Sequence, residues 1–283
     1  MYIDPNPYSP EVVLPFALWT IMIFILGTCL GSFLNVCIWR MPRDESIVNP
    51  PSSCPKCGHR LAWYENFPII GWLSLRGKCK SCKEPISIQY LLMELLVGIL
   101  FLGVWFKVYY SHEYLTVLVP YLLVTSFVVT TFFIDIKHYI IPNETTYFTM
   151  IAGLVCAAVY PELWPAAVWW RALIQSAVCM GIGYGLLYIF AYVGKKVFKQ
   201  EALGGGDVKY IAAISAMLGL KCAFFSLLIG SIFGTFIGIG LMVFKKKGVK
   251  TVIPFGPYLA LATYAWILVG DRMTNWYFSF IQQ

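Results

Sequence analysis

Two groups of residues in this 283-residue chain have the types and spacing to do chemistry. The first is a pair of C-x2-C turns, Cys54–Cys57 (CPKC) and Cys79–Cys82 (CKSC), in the pattern C-x2-C-x21-C-x2-C. Each turn offers two thiolates to one ion, and two such turns complete a tetrahedral four-thiolate site of the kind that holds structural Zn2+. The spacer is slightly longer than is usual for a zinc ribbon. Four thiolates around one Zn2+ leave net negative charge. Lys56, His59, Arg60, Lys78, Lys80 and Lys83 flank the thiols and offset it. A redox pair is the competing reading of any C-x-x-C, but no βαβ pattern surrounds these. Nothing nearby supplies an open coordination position, so a catalytic zinc is not expected. Cys29, Cys37, Cys156, Cys179 and Cys222 lie in or beside apolar runs and read as small hydrophobes.

The second group is a pair of acids. Of the aspartates Asp4, Asp44, Asp135, Asp207 and Asp271, only Asp135 and Asp207 sit where an apolar run meets a polar turn of basic character. Ionisable groups at membrane depth are costly and are functional candidates by default. Asp207 also suits an N-cap, and Asp135 has Lys137 nearby as a structural partner. Gly204, Gly205 and Gly206 precede Asp207 and keep side chains away from it, leaving room for another backbone such as an extended peptide. The Gly-Lys-Ser/Thr ending of a phosphate-binding loop is absent. Glu94 reads as a buried, paired group and Glu144 as a first-turn acid.

Two carboxylates converging on one site suggest an aspartyl protease. They share a proton, so that one activates water while the other polarises the peptide carbonyl. By helix ends alone, Asp207 at an N-terminus takes the base role and Asp135 at a C-terminus the acid role. Two readings from other classes stand beside this one. One is an ion or proton transporter that relays charge through the same acids. The other is a zinc-anchored adaptor without chemistry.

These side chains must be positioned by helices in a bilayer. The chain is 59% hydrophobic and 12% charged, against about a quarter charged in soluble domains. Apolar runs fall at roughly 12–38, 89–111, 114–136, 144–160, 167–194, 208–220, 222–244 and 253–270. Several exceed the ~18 residues that mark a spanning helix. The fold class expected is an all-α polytopic membrane protein of about eight transmembrane helices with a small cytoplasmic zinc-binding loop domain. Its expected domains are a first transmembrane segment at 1–38, the four-cysteine zinc domain at 39–88 and a membrane core at 89–283. The opening residues do not read as a secretory signal, because no Lys or Arg precedes the first apolar run. The net charge of +7 belongs to loops facing the cytoplasm and not to a nucleic-acid partner. With 39–88, 137–143, 195–207 and 245–252 in the cytoplasm, together with the adjoining helix ends, 17 of the 21 Lys and Arg lie on that side. Both termini then face outward and both acids face inward.

The motifs, taken in order, resemble the type IV prepilin peptidase family. They are G-S-F-L-N-V at Gly31–Val36 with Arg40 and Pro42, the stretch Trp63–Cys79 inside the paired C-x2-C loop, and Asp135 with I-I-P-N at Ile140–Asn143. G-G-G-D-V-K at Gly204–Lys209 and P-F-G-P-Y-L-A at Pro254–Ala260 complete the set. The resemblance implies that Asp135 and Asp207 are the catalytic pair, in a multi-pass protein of the bacterial cytoplasmic (inner) membrane with periplasmic termini. It implies prepilin or pseudopilin substrates of a pilus or secretion system. Their short basic leader is cut after a glycine, and the new N-terminal residue is methylated from S-adenosylmethionine. Arg76, Gly77 and Lys78 are the candidate site for that methyl donor. The family often carries Asp after Ile-Pro, where this chain has Asn143.

Overall fold

A computed structural model describes residues 10–111, 115–164, 166, 168–199, 203–245 and 254–281. These fold almost entirely as helix; no strand forms among them, and only two isolated bridges pair Ser53 with Arg60 and Lys78 with Pro85. The chain divides into two compact units, Met1–His112 and Glu113–Gln283.

The first unit is built on α1 (Pro10–Arg40) and α3 (Ile88–Tyr110), which pack on each other, with the cysteine loop and the short α2 (Ile70–Ser74) between them in sequence. Gly27 and Gly31, four residues apart, set the approach. A Cβ on Gly27 would lie 2.8 Å from Gly98 Cα, and one on Gly31 2.8 Å from Glu94 Cα. Small residues at this spacing let membrane helices meet backbone to backbone. Against that seam, Val97, Phe101, Val104 and Val108 are fully buried. Because α3 pairs with α1, the compact division falls after His112 and not at residue 88, where the membrane core was expected to begin.

The second unit contains α4 (Leu118–His138), α5 (Asn143–Val159), α6 (Trp169–Phe198), α7 (Gly205–Lys245) and α8 (Gly256–Ile281). Its core gathers around the start of α7, where Val208, Tyr210, Ile211, Ala213 and Ile214 pack with Phe127, Ile141, Leu187 and Leu259. The helix α7 has 41 residues but is not straight, for Gly219 breaks it at φ 81, ψ 174. The hydroxyl of Tyr210 donates to Thr263 Oγ1 at 2.8 Å, and Ser226 Oγ lies 3.0 Å from the same atom. In a straight helix Tyr210 and Ser226 would be about 24 Å apart along the axis. The chain therefore folds back at Gly219 into legs 205–218 and 220–245. They correspond to the two apolar runs expected at 208–220 and 222–244.

With α7 counted as two legs, the eight expected runs each match a helical segment. By length and composition, five of the described helices suffice to cross a membrane, α7 counted as one; α5 has 17 residues and the apolar part of α8, Gly256–Gly270, is also shorter. In the most apolar window of each, α4 is 67% buried and α6 only 11%. A helix that is apolar on its outer surface needs lipid there. The protein is a multi-pass, all-α membrane protein.

Candidate active site and metal centre

Asp135 lies one turn before the end of α4 and is 5% exposed. Its Oδ2 accepts the backbone N–H of Gly256, the first residue of α8, at 2.9 Å. A Cβ on Gly256 would sit 2.7 Å from that same oxygen. Glycine is thus needed for the backbone to reach the carboxylate. The P-F-G-P run had no assigned role in the sequence, and this contact supplies one.

Asp207 is the third residue of α7, and its N–H bonds the carbonyl of Gly204 at 3.1 Å. Asp207 is largely enclosed, and Asp135 is near enough for the two carboxylates to interact through their charge. The turn after α4 brings the two together, because buried Ile141 packs on Gly206, where a Cβ would lie 3.1 Å from Ile141 Cβ. The helix-end argument for dividing base from acid does not carry over, since each aspartate meets the N-terminus of a helix, Asp135 that of α8 and Asp207 that of α7. Both acids stand within a turn of a helix end, and neither lies at mid-span as a relay through the membrane requires.

The three glycines have separate reasons. None takes a positive φ. A Cβ on Gly204 would come 3.1 Å from Asp207 Oδ2, one on Gly206 would press on Ile141, and one on Gly205 would meet nothing within 4 Å. Gly205 borders open space on the side of α7 away from Asp207, and Gly204 is the glycine beside the carboxylate. Further along the first turn, Lys209 Nζ donates to Asn143 Oδ1 at 2.6 Å and lies 5.4 Å above the Tyr147 ring. This ties the starts of α5 and α7 together, so Asn143 keeps a polar partner where the family often has Asp. Glu144 lies in the first turn of α5, as expected.

In the first unit the four cysteines converge. Their Sγ atoms all lie within 4.8 Å of one another, with Cys54–Cys82 at 3.7 Å and Cys57–Cys79 at 3.8 Å. A tetrahedron with Zn–S bonds near 2.3 Å has edges of about 3.8 Å. These short pairs join one C-x2-C turn to the other, as a shared ion requires and a redox pair within one turn does not. The two turns repeat one fold. Gly58 N–H bonds Cys54 O and Lys83 N–H bonds Cys79 O, and both donors take positive φ. Lys56 joins the two turns through a 2.6 Å ion pair to Glu84. The N–H groups of Cys57 and Lys56 draw the Cys54 thiol down to about 6. At Cys82 the Glu84 N–H is outweighed by burial and the three neighbouring thiols, which push it up to about 12, so the four titrate as one group.

Glu65, which sequence reasoning missed, is buried beneath this loop. It accepts the Ala62 N–H at 2.9 Å, faces His59 Nε2 at 3.1 Å and has Lys80 Nζ at 3.5 Å. The Ala62 N–H, then His59 and Lys80, hold it below the usual carboxylate range. Glu94 is buried and paired, as expected, and accepts the Ile69 N–H at 2.7 Å.

Arg76 and Lys78 line an open pocket of about 470 Å³ together with Ser74, Leu75, Cys79, Lys80 and Lys83. Gly77 is not among the lining residues; its φ is 67 and the Trp72 ring leaves no space for a Cβ. The lining offers cations for a carboxylate. It has no acid for an ammonium, sulfonium or ribose and no aromatic ring for adenine. These residues do not make a fitting cradle for S-adenosylmethionine.

Comparison with known proteins agrees with this geometry. Residues 25–108 match the Bacterial Peptidase A24 N-terminal domain and residues 122–239 the Type IV leader peptidase family. Three relatives are each named prepilin leader peptidase/N-methyltransferase. That of Myxococcus xanthus is 40% identical over 80% of this chain and 64% of its own length. That of Aeromonas hydrophila is 32% identical over 90% of this chain and 92% of its own. That of Pseudomonas aeruginosa is 29% identical over 96% and 97%. No solved structure matches the chain. With a buried aspartate on α4, a second in a Gly-Gly-Gly-Asp turn opening α7, and a relative 32% identical to it over 90% of its residues, this chain belongs to the type IV leader peptidase family.

Proposed function

We propose that the protein is an aspartyl peptidase of the bacterial inner membrane. It removes the short basic leader of type IV prepilins or pseudopilins after a glycine and then N-methylates the new terminus. The observation that carries this reading is the convergence of Asp135 and Asp207, from separate helices, at helix ends within one unit. The pair holds one proton between them. The ionised carboxylate takes a proton from water, and the hydroxide attacks the scissile carbonyl carbon. The protonated carboxyl gives its proton to the carbonyl oxygen. Collapse of the tetrahedral intermediate breaks the C–N bond, and the leaving nitrogen takes up the proton first drawn from water. The Gly256 N–H fixes the Asp135 carboxylate for this exchange, and Gly204, where a Cβ would come 3.1 Å from Asp207 Oδ2, keeps the approach to that acid open for an extended strand.

The second unit offers the substrate's apolar helix a groove. A groove of about 380 Å³ between α5, α6 and α7 is lined by Tyr147, Met150, Tyr184 and Lys209 among others. Lys209 is two residues from Asp207. The excess of Lys and Arg on one set of loops supports a cytoplasmic side that carries both aspartates, with both termini periplasmic. Cys54, Cys57, Cys79 and Cys82 hold a structural Zn2+ that fixes the loop between α1 and α3. Support for methylation, with S-adenosylmethionine as donor, is the shared name of the relatives, and the donor's site is not assigned to the Arg76–Lys78 pocket.

Mass spectrometry of a co-expressed prepilin tests this reading, since leader loss and an added methyl group appear in one spectrum. Asp135→Asn and Asp207→Asn should each abolish leader loss, by about 10³-fold or more, while leaving the protein inserted. Normal processing by both variants, with failure of Cys54→Ser, would replace the peptidase by the adaptor.

A further inference from the structure

The helix α2 has two unlike sides. One is fixed inward. Gly71 packs on the Glu65 backbone, and Trp72 covers Gly77 and donates its indole N–H to Ile86 O at 3.3 Å. The other side presents Ile70, 60% exposed, and Leu73, 55% exposed, with Phe67, 43% exposed, one turn earlier. A polar loop in water has no reason to display three large apolar side chains at this spacing.

The depth of α2 gives the reason. The Ile69 N–H that leads into it donates to Glu94 Oε2 at 2.7 Å. Glu94 is the seventh residue of α3, about 9 Å along its axis. The 23 residues of α3 extend about 34 Å, little more than the ~30 Å hydrocarbon layer. Its first residue therefore lies near the edge of that layer and Glu94 lies below it. On the same stretch of α3, Ile88 and Leu92 are exposed and apolar. Ile69 itself takes φ 63, a conformation that a β-branched residue adopts only when its surroundings enforce it. Arg60, Arg76, Lys78, Lys80 and Lys83 are exposed on the surrounding loop.

We propose that Phe67, Ile70 and Leu73 insert into the interfacial layer of the bilayer, so that the four-cysteine loop lies on phospholipid, with its cations among anionic headgroups. The loop domain is then a membrane-surface module and not a domain held out in the cytoplasm.

The unmodified full-length chain in nanodiscs containing phosphatidylglycerol and a phospholipid with a diazirine-bearing acyl chain tests this. After photolysis, peptides covering 67–73 should carry lipid label at least about fivefold above those around Val48, which is 75% exposed on the same loop. Replacing phosphatidylglycerol by phosphatidylcholine should lower that label about twofold or more. Label at 67–73 no greater than at Val48 would overturn the insertion. Unchanged label in phosphatidylcholine would overturn the part given to the cations. No variant is required, so a folding defect cannot imitate either result.

Discussion

At the residue scale, the chemistry depends on glycines as much as on the acids. Gly256 brings a backbone N–H to Asp135, and an added methyl would occupy space 2.7 Å from the carboxylate oxygen. Gly256→Ala should lower kcat for leader cleavage by about tenfold or more, because a small displacement of a catalytic group is expensive. Processing kinetics at equal protein levels would check it. Gly205 and Gly206 differ in what a side chain would meet. Gly206→Val should destabilise the fold by about 1–3 kcal/mol through overpacking on Ile141, read as a lower Tm. Gly205→Val should leave Tm unchanged, because a side chain there would meet nothing within 4 Å and would point away from Asp207 two residues on. Both aspartates and all four cysteines were legible in the sequence, because acids at membrane depth and paired C-x2-C turns are rare without a use. Gly256 and Glu65 were not. A glycine's role as a donor and an acid's burial beneath a metal loop depend on contacts across 121 and 6 residues, and composition carries no trace of them.

At the element scale, the turn inside α7 decides where Asp207 stands. Gly219 has φ 81, ψ 174, a region that only glycine occupies readily. The nearest atom to a Cβ there would be on the Trp164 ring at 3.7 Å, an ordinary contact. Gly219→Ala should therefore cost about 1–3 kcal/mol from backbone strain alone, measured by thermal unfolding in detergent. The network of Tyr210, Thr263 and Ser226 holds both legs against α8 and has its hydroxyls paired in the core. In the sequence the two legs were visible as two apolar runs, and their border was placed one or two residues late. Hydropathy sees the apolar lengths, while the bend needs a backbone conformation that one glycine among 23 does not announce. Gly31 with Ser32 already suggested close helix packing, but not that α3 is the helix Gly31 meets, because that depends on the neighbour alone.

For the whole molecule, metal and lipid play different parts. Removing Zn2+ with a chelator should leave four cysteines with no ion to hold the two turns together. The loop 54–82 should then open, with four additional thiols reacting in an accessibility assay and new protease cuts within the loop. Cys54→Ser should reproduce the protease sensitivity without chelator. The 17 cations on one side of the spans were enough to suggest an orientation. The route by which a substrate enters was beyond the sequence, since a groove belongs to three helices at once. One dimension of the fold bears on how the peptide bond is reached. The leg that begins near Asp207 and ends at Gly219 is about 21 Å long, some 9 Å less than the ~30 Å layer it stands in. If its far end is level with the outer surface, its near end stops inside the layer. The scissile bond is then cut at the bottom of a shallow well below the lipid phosphates. Water must descend to it, and a leader must be threaded downward before it can be lost.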